Sequence, residues 1–207
     1  MIAVLACALM LKGLAAPGVT LHLSVDQDGG LSAFQVRLVV REVGRIWKDA
    51  GVDVTSGPFA AGARPGQASV SLRILRVGPS GQRPDQRVLA WVIPAATGRS
   101  APDLFVCLPA MTETVMGAEA MGGWTVSKLT LDLQVRLLAR AIGRVAAHEL
   151  GHYLLQSARH ESRGLMRPTY SPDELVGESL EPFQVPDAQR SELRTGIEAW
   201  ARLQAIH

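Results

Sequence analysis

The stretch His148-Glu149-Leu150-Gly151-His152 places two imidazoles and a carboxylate where an α-helix would bring them together. Residues four apart on a helix stand one above the other, with Cβ atoms about 5–6 Å apart. Both rings can then direct a nitrogen at one divalent ion held about 2.0–2.1 Å away. Glu149, turned about 100° from His148 around the helix axis, would flank the ion and could take a proton from water activated there. Two ligands leave a catalytic zinc site incomplete, because such sites usually have three protein ligands and keep a fourth position open. His160 is the natural third, since Tyr153 to Arg159 give enough chain to end the helix near Gln156 and fold back. Glu161, Glu174 or Glu178 could complete the set instead. Three of the five histidines thus fall within thirteen residues, and Gly164-Leu165-Met166 follows as a tight turn carrying a methionine, with Pro168 just beyond.

A helix must present these groups. Leu131, Val135, Leu138, Ile142 and Val145 recur by four and three residues and form an apolar stripe, while Arg136, Arg140 and Arg144 make a separate line expected to face solvent. The stripe extends onto Glu149, a carboxylate that would be costly in a core unless something satisfies it. Upstream, Val19, Leu21, Leu23 and Val25 alternate with polar residues as a half-buried strand does, and Asp28-Gly29-Gly30 ends it. Ser32 is a fair N-cap for a helix running to Asp49, with Gly51 as its stop. Val52 to Thr55, Ser69 to Val77, Val88 to Ile93 and Leu104 to Leu108 are strand candidates, and Pro109 to Gly123 reads as a connection that could be a lid or a rim. Asp187 opens a closing helix whose Leu193, Ile197, Trp200 and Leu203 share one face.

The run HELGHYLLQSARHESRGLM, residues 148–166, resembles the zinc site of the metzincin superfamily of metallopeptidases, in particular that of short bacterial proteins thought to be exported. The resemblance implies zinc as cofactor, His148, His152 and His160 as its ligands, Glu149 as general base and Met166 as an apolar floor. It implies an α+β fold: a twisted mixed five-stranded sheet with two long helices, then a small C-terminal helical subdomain packed beneath the methionine turn. Val88 to Ile93 would be the edge strand on which substrate lies as an added strand, and Tyr170 could bond the developing oxyanion. The implied reaction is zinc-dependent hydrolysis of a peptide bond in a peptide or protein substrate. The sequence departs from the superfamily in the turn: seven residues separate His152 from His160, a longer spacing than usual, and Gln156 stands where the bacterial group has glycine.

Composition narrows the rest. The chain has 207 residues, of which 47% are hydrophobic and 19% charged, enough for one sizeable core. Its net charge is +2, and lysine occurs only at Lys12, Lys48 and Lys128 among 21 basic residues, scattered among acids, which argues against nucleic acid as a partner. Two cysteines, Cys7 and Cys107, are too few for a disulfide framework or a thiolate cluster, so nitrogen and oxygen must hold any metal. Met1 to Leu11 is an apolar run too short to span a bilayer, followed by Leu14-Ala15-Ala16-Pro17. This reads as an export leader over residues 1–17, with Val4-Leu5-Ala6-Cys7 as a lipoprotein-like alternative and a first core strand as the other. Residues 18–207 are expected to be a single catalytic domain, upper part 18–156 and lower part 157–207, monomeric and periplasmic or extracellular. Two other readings compete: a zinc-containing protein that binds a peptide strand without cleaving it, and an arginine-rich adaptor that holds no metal.

Overall fold

The structure, a computed structural model, describes residues 19–25, 30–57, 67–76, 88–93, 102–155, 157–187, 189–193 and 195–196. Five strands form one mixed sheet: β1 (Val19–Val25), β2 (Val52–Ser56), β3 (Gln67–Leu75), β4 (Ala90–Ile93) and β5 (Asp103–Cys107), in the order β2-β1-β3-β5-β4. β1 runs parallel to β2 and β3, β3 runs parallel to β5, and β4 joins the end of the sheet antiparallel to β5. The expected α+β architecture is the one observed. Because side chains alternate along a strand, the register stacks Leu72 beside Leu104 and Ile74 beside Val106 on a buried face. The other face carries an Arg73–Asp103 ion pair and the stacked rings of Trp91 and Phe105.

Two long helices pack together and cover the buried face. Helix α1 (Ala33–Lys48) starts at Ser32, whose hydroxyl accepts from Gln35 N at 3.2 Å while Gln35 Oε1 accepts from Ser32 N at 2.9 Å. This reciprocal capping satisfies two amide groups that a helix start leaves unpaired. Its core face is Leu38, Val39, Val43, Ile46 and Trp47, interrupted by a buried carboxylate, Glu42. Much of the connection expected over Pro109 to Gly123 is a helix, α2 (Leu108–Met116), ending at Gly117, and Leu108, expected to close the preceding strand, opens it. Met111, Val115 and Ala118 recur at helical spacing and are buried, and Pro109 is tolerated because the first turn has no amide bond to lose.

Helix α3 (Leu131–Leu154) runs through the centre and is buried from Leu137 onward on nearly all sides. Two expectations change here. Leu131 is 74% exposed at the first turn instead of joining the core. The arginine line faces solvent only at Arg136, which pairs with Asp132; Arg140 donates to the carbonyls of Val176 and Gly177, and Arg144 is fully buried. The reason lies in the C-terminal residues, which fold over that side of the helix with α4 (Pro172–Val176) and a 3-10 turn at Glu181–Phe183. Residues from Asp187 are helical, as expected, and Leu193 is buried. Gly196 lies against the carbonyl of Leu154, at the end of α3. Ile197, Trp200, Leu203, Gln156 and the leader-like residues 1–17 lie outside the described residues. No helix among the described residues is long and apolar enough to cross a membrane.

Candidate metal centre

Helix α3 carries His148 and His152 on its last two turns and ends just after them. Leu155 N donates to Gly151 O at 2.9 Å, and Ser157 N to His152 O at 3.1 Å, so Ser157 is tied back to the last turn of the helix. The loop that follows is pinned from both directions. Glu161 N donates to Met166 O at 2.7 Å, and Leu165 N to Gln184 O at 2.9 Å, while Gly164 takes a positive φ of 73° that a side chain would resist. These bonds fix His160 at one end of the loop and Met166 at the other.

The three imidazoles converge. His152 Nε2 lies 3.0 Å from His148 Nε2 and 3.2 Å from His160 Nε2, and the donor atoms of all three lie within 4.8 Å of one another. This is the one cluster of three or more metal-binding side chains among the described residues. Among the described residues no carboxylate joins it, Glu161, Glu174 and Glu178 included; Glu174 pairs with Arg167 and caps α4 through Ser171 N.

Hydrogen bonds to the backbone decide which ring nitrogens carry protons. His148 Nδ1 donates to Leu165 O at 2.7 Å and His152 Nδ1 to Ser157 O at 2.8 Å. Carbonyl oxygens only accept, so each Nδ1 must be the protonated atom. In the neutral rings the lone pairs then sit on Nε2, and two of these face each other across 3.0 Å. Burial pushes the His148 pKa down to about 4 and lowers that of His152, against the opposing effect of the backbone bonds, which favours the neutral form of both rings. Neutral lone pairs that close repel unless a cation lies between them. Tetrahedral bonds of about 2.0–2.1 Å would set the nitrogens about 3.3 Å apart, near the observed spacings, so the donor set fits a zinc ion.

Glu149 and His148 line one cleft of about 340 Å³, bounded by Leu89 and Ala90 at the start of β4, Val145 on α3, and Arg167 and Tyr170 on the loop. Burial pushes the Glu149 carboxyl up to about 7. Met166 is buried with its sulfur against Gly151; a Cβ added at Gly151 would run into that sulfur, so the glycine is what admits the methionine under the helix. The Tyr170 hydroxyl donates to Leu165 O and lies 3.2 Å from Gly164 O.

Arg144, one turn before His148, joins the centre's supporting elements and was not expected there. Its Nε donates to Glu42 Oε1 at 2.9 Å, its other nitrogens to the carbonyls of Glu174 and Ser179, and the guanidinium lies 4.5 Å over the Phe183 ring. The sequence carries half of this signal, because Glu42 interrupts the apolar face of α1 and a buried carboxylate needs a cation.

No protein-family model and no curated protein matches the chain. Among solved structures it is similar to an archaemetzincin from Methanopyrus kandleri, at 13% identity and a TM-score of 0.48, over 92% of this chain and 99% of that one. It is also similar to metalloproteinase-II from Bacteroides fragilis, at 13% identity and a TM-score of 0.39, over 87% of this chain and 53% of the other. Likeness this distant leaves the chemistry to be argued from the side chains.

Proposed function

We propose that the protein is a zinc-dependent peptidase of metzincin type, with His148, His152 and His160 as metal ligands and Glu149 as general base. One observation carries the reading: two imidazoles anchored through Nδ1 turn their Nε2 atoms toward each other at 3.0 Å, with His160 Nε2 completing the set at 3.2 Å. A zinc ion held there would acidify a water molecule and polarise a scissile carbonyl.

The chain's own groups supply the rest. Glu149 takes the proton from the attacking water and returns it to the leaving amine, a role typically worth about 100- to 10,000-fold in rate. Its raised pKa follows from burial alone, and a nearby cation would favour the ionised form that accepts the proton. Ala90 opens β4 at the antiparallel end of the sheet and lines the cleft. An extended peptide can add there as a further strand, with its bond beside Glu149. Met166 forms the apolar floor beneath Gly151. The apolar run Met1 to Leu11 supports export, with residues 18–207 as a monomeric catalytic domain after a leader of residues 1–17.

Cleavage of a peptide library by the zinc-loaded protein and by Glu149→Ala tests the reading. Cleavage by the parent chain, abolished in the variant while zinc is retained, supports it. Retained zinc with no cleavage by either chain makes the protein a binder of peptide strands instead.

A further inference from the structure

We propose that Tyr170 is a positioning residue for His148, acting through the carbonyl oxygen of Leu165 and not on the substrate. The inference rests on the proposed zinc site, to which it adds a residue. His148 Nδ1 donates to Leu165 O at 2.7 Å, and the Tyr170 hydroxyl donates to the same oxygen. A carbonyl oxygen has two lone pairs, so one atom serves both donors. Phenol and imidazole are thereby joined through a single backbone oxygen.

The phenol is held so that it cannot swing away. Its ring stacks on Phe183 with centroids 4.7 Å apart, meets the His148 ring edge-on at 5.9 Å, and lies under the Arg167 guanidinium at 4.7 Å. The hydroxyl has one proton to give, and the backbone takes it. Leu165 is also the residue before Met166, so the atom that orients His148 and the side chain packed under Gly151 belong to one pinned turn. Partners that orient a metal-bound histidine through its second nitrogen typically contribute about 10- to 100-fold in metal affinity. Here the carbonyl is that partner, and Tyr170 holds it in place.

Tyr170→Phe removes the hydroxyl and keeps the ring. Two readouts decide its role. The first is zinc affinity by competition with a chelator, expected to fall about tenfold or more. The second is the Nδ1–H proton resonance of His148 in the metal-free protein, expected to shift and to exchange faster with water. Placing 3-fluorotyrosine at position 170 provides a check that does not disturb packing: a more acidic phenol should move the His148 resonance the opposite way. Unchanged affinity with an unmoved resonance in both proteins overturns the proposal. So does unchanged zinc affinity with a lower kcat at constant KM, which would put the hydroxyl on the reacting carbonyl. Failure of the parent chain to bind zinc would instead overturn the proposed function, and the metal-free resonance separates the two outcomes.

Discussion

Arg144 Nε donates to Glu42 Oε1 at 2.9 Å in the interior, joining α3 to α1 one helical turn from His148. The same guanidinium reaches the carbonyls of Glu174 and Ser179, so one side chain ties both long helices to the C-terminal segment. Burial lowers the Arg144 pKa and the Glu42 charge opposes that, as expected for a cation that needs its partner.

Glu42→Ala leaves the Arg144 guanidinium charged and buried with only carbonyl partners, and is expected to cost about 3–5 kcal/mol in urea unfolding. Arg144→Ala should cost less, because Glu42 keeps its ion pair with Arg45 Nη1 at 2.9 Å. Arg144→Lys should fail to restore the loss, because an ammonium cannot reach a carboxylate and two separate carbonyls with the geometry of a planar guanidinium. Full stability in either alanine variant would show that the pair is not the junction described.

Gly151 and Met166 should be coupled. Gly151→Ala alone drives a methyl group into the Met166 sulfur and is expected to destabilise by about 1–3 kcal/mol, although alanine is the better helix former by about 1 kcal/mol. With Met166→Ala in the background the clash disappears, so Gly151→Ala should become neutral or stabilising. A double-mutant cycle in thermal unfolding reads this directly, and simple additivity would contradict the contact.

Much of the centre was legible before the fold was known. The four-residue spacing of His148 and His152 is a geometric statement about one helix face, and the short return to His160 follows from chain length. The strands were also accessible, since alternation and turn residues are local, but their limits moved by one or two residues: β4 starts at Ala90 instead of Val88, and Leu108 opens α2 instead of ending β5. Most of what the sequence does not carry depends on distant or backbone atoms. Arg144 looks like a surface residue until residues 174–183 cover it, and nothing near it in sequence announces that cover. Met111, Val115 and Ala118 carry a helical spacing, but Pro109 and the Met/Gly-rich composition obscured it. The acceptors that orient the rings, Leu165 O and Ser157 O, have no side-chain signature.

Stability should respond to acid through Glu174. The amide of Ser171 holds its carboxyl below the usual range, and Arg167 acts in the same direction, with burial opposing both. A carboxyl whose folded pKa lies below its unfolded value contributes stability that is complete above about pH 4.5 and is lost as pH falls toward the folded value. Glu174→Gln should therefore narrow the difference between urea midpoints measured at pH 7 and pH 4. An unchanged difference would remove Glu174 from the acid response. The side chain is 31% exposed, so solvent screening keeps the effect small.

The catalytic assignment predicts a separation of binding from turnover. Glu149→Gln should keep stoichiometric zinc and lose about 100- to 10,000-fold in kcat. Equal loss of zinc would mean that Glu149 supports the metal instead of the proton transfer.

X-ray absorption at the zinc edge of the reconstituted protein tests the central claim most directly. One zinc per chain, bound by three imidazole nitrogens at about 2.0–2.1 Å and reduced to two in His160→Ala, is the predicted result. Failure to take up stoichiometric zinc, or a spectrum that His160→Ala leaves unaltered, would contradict it.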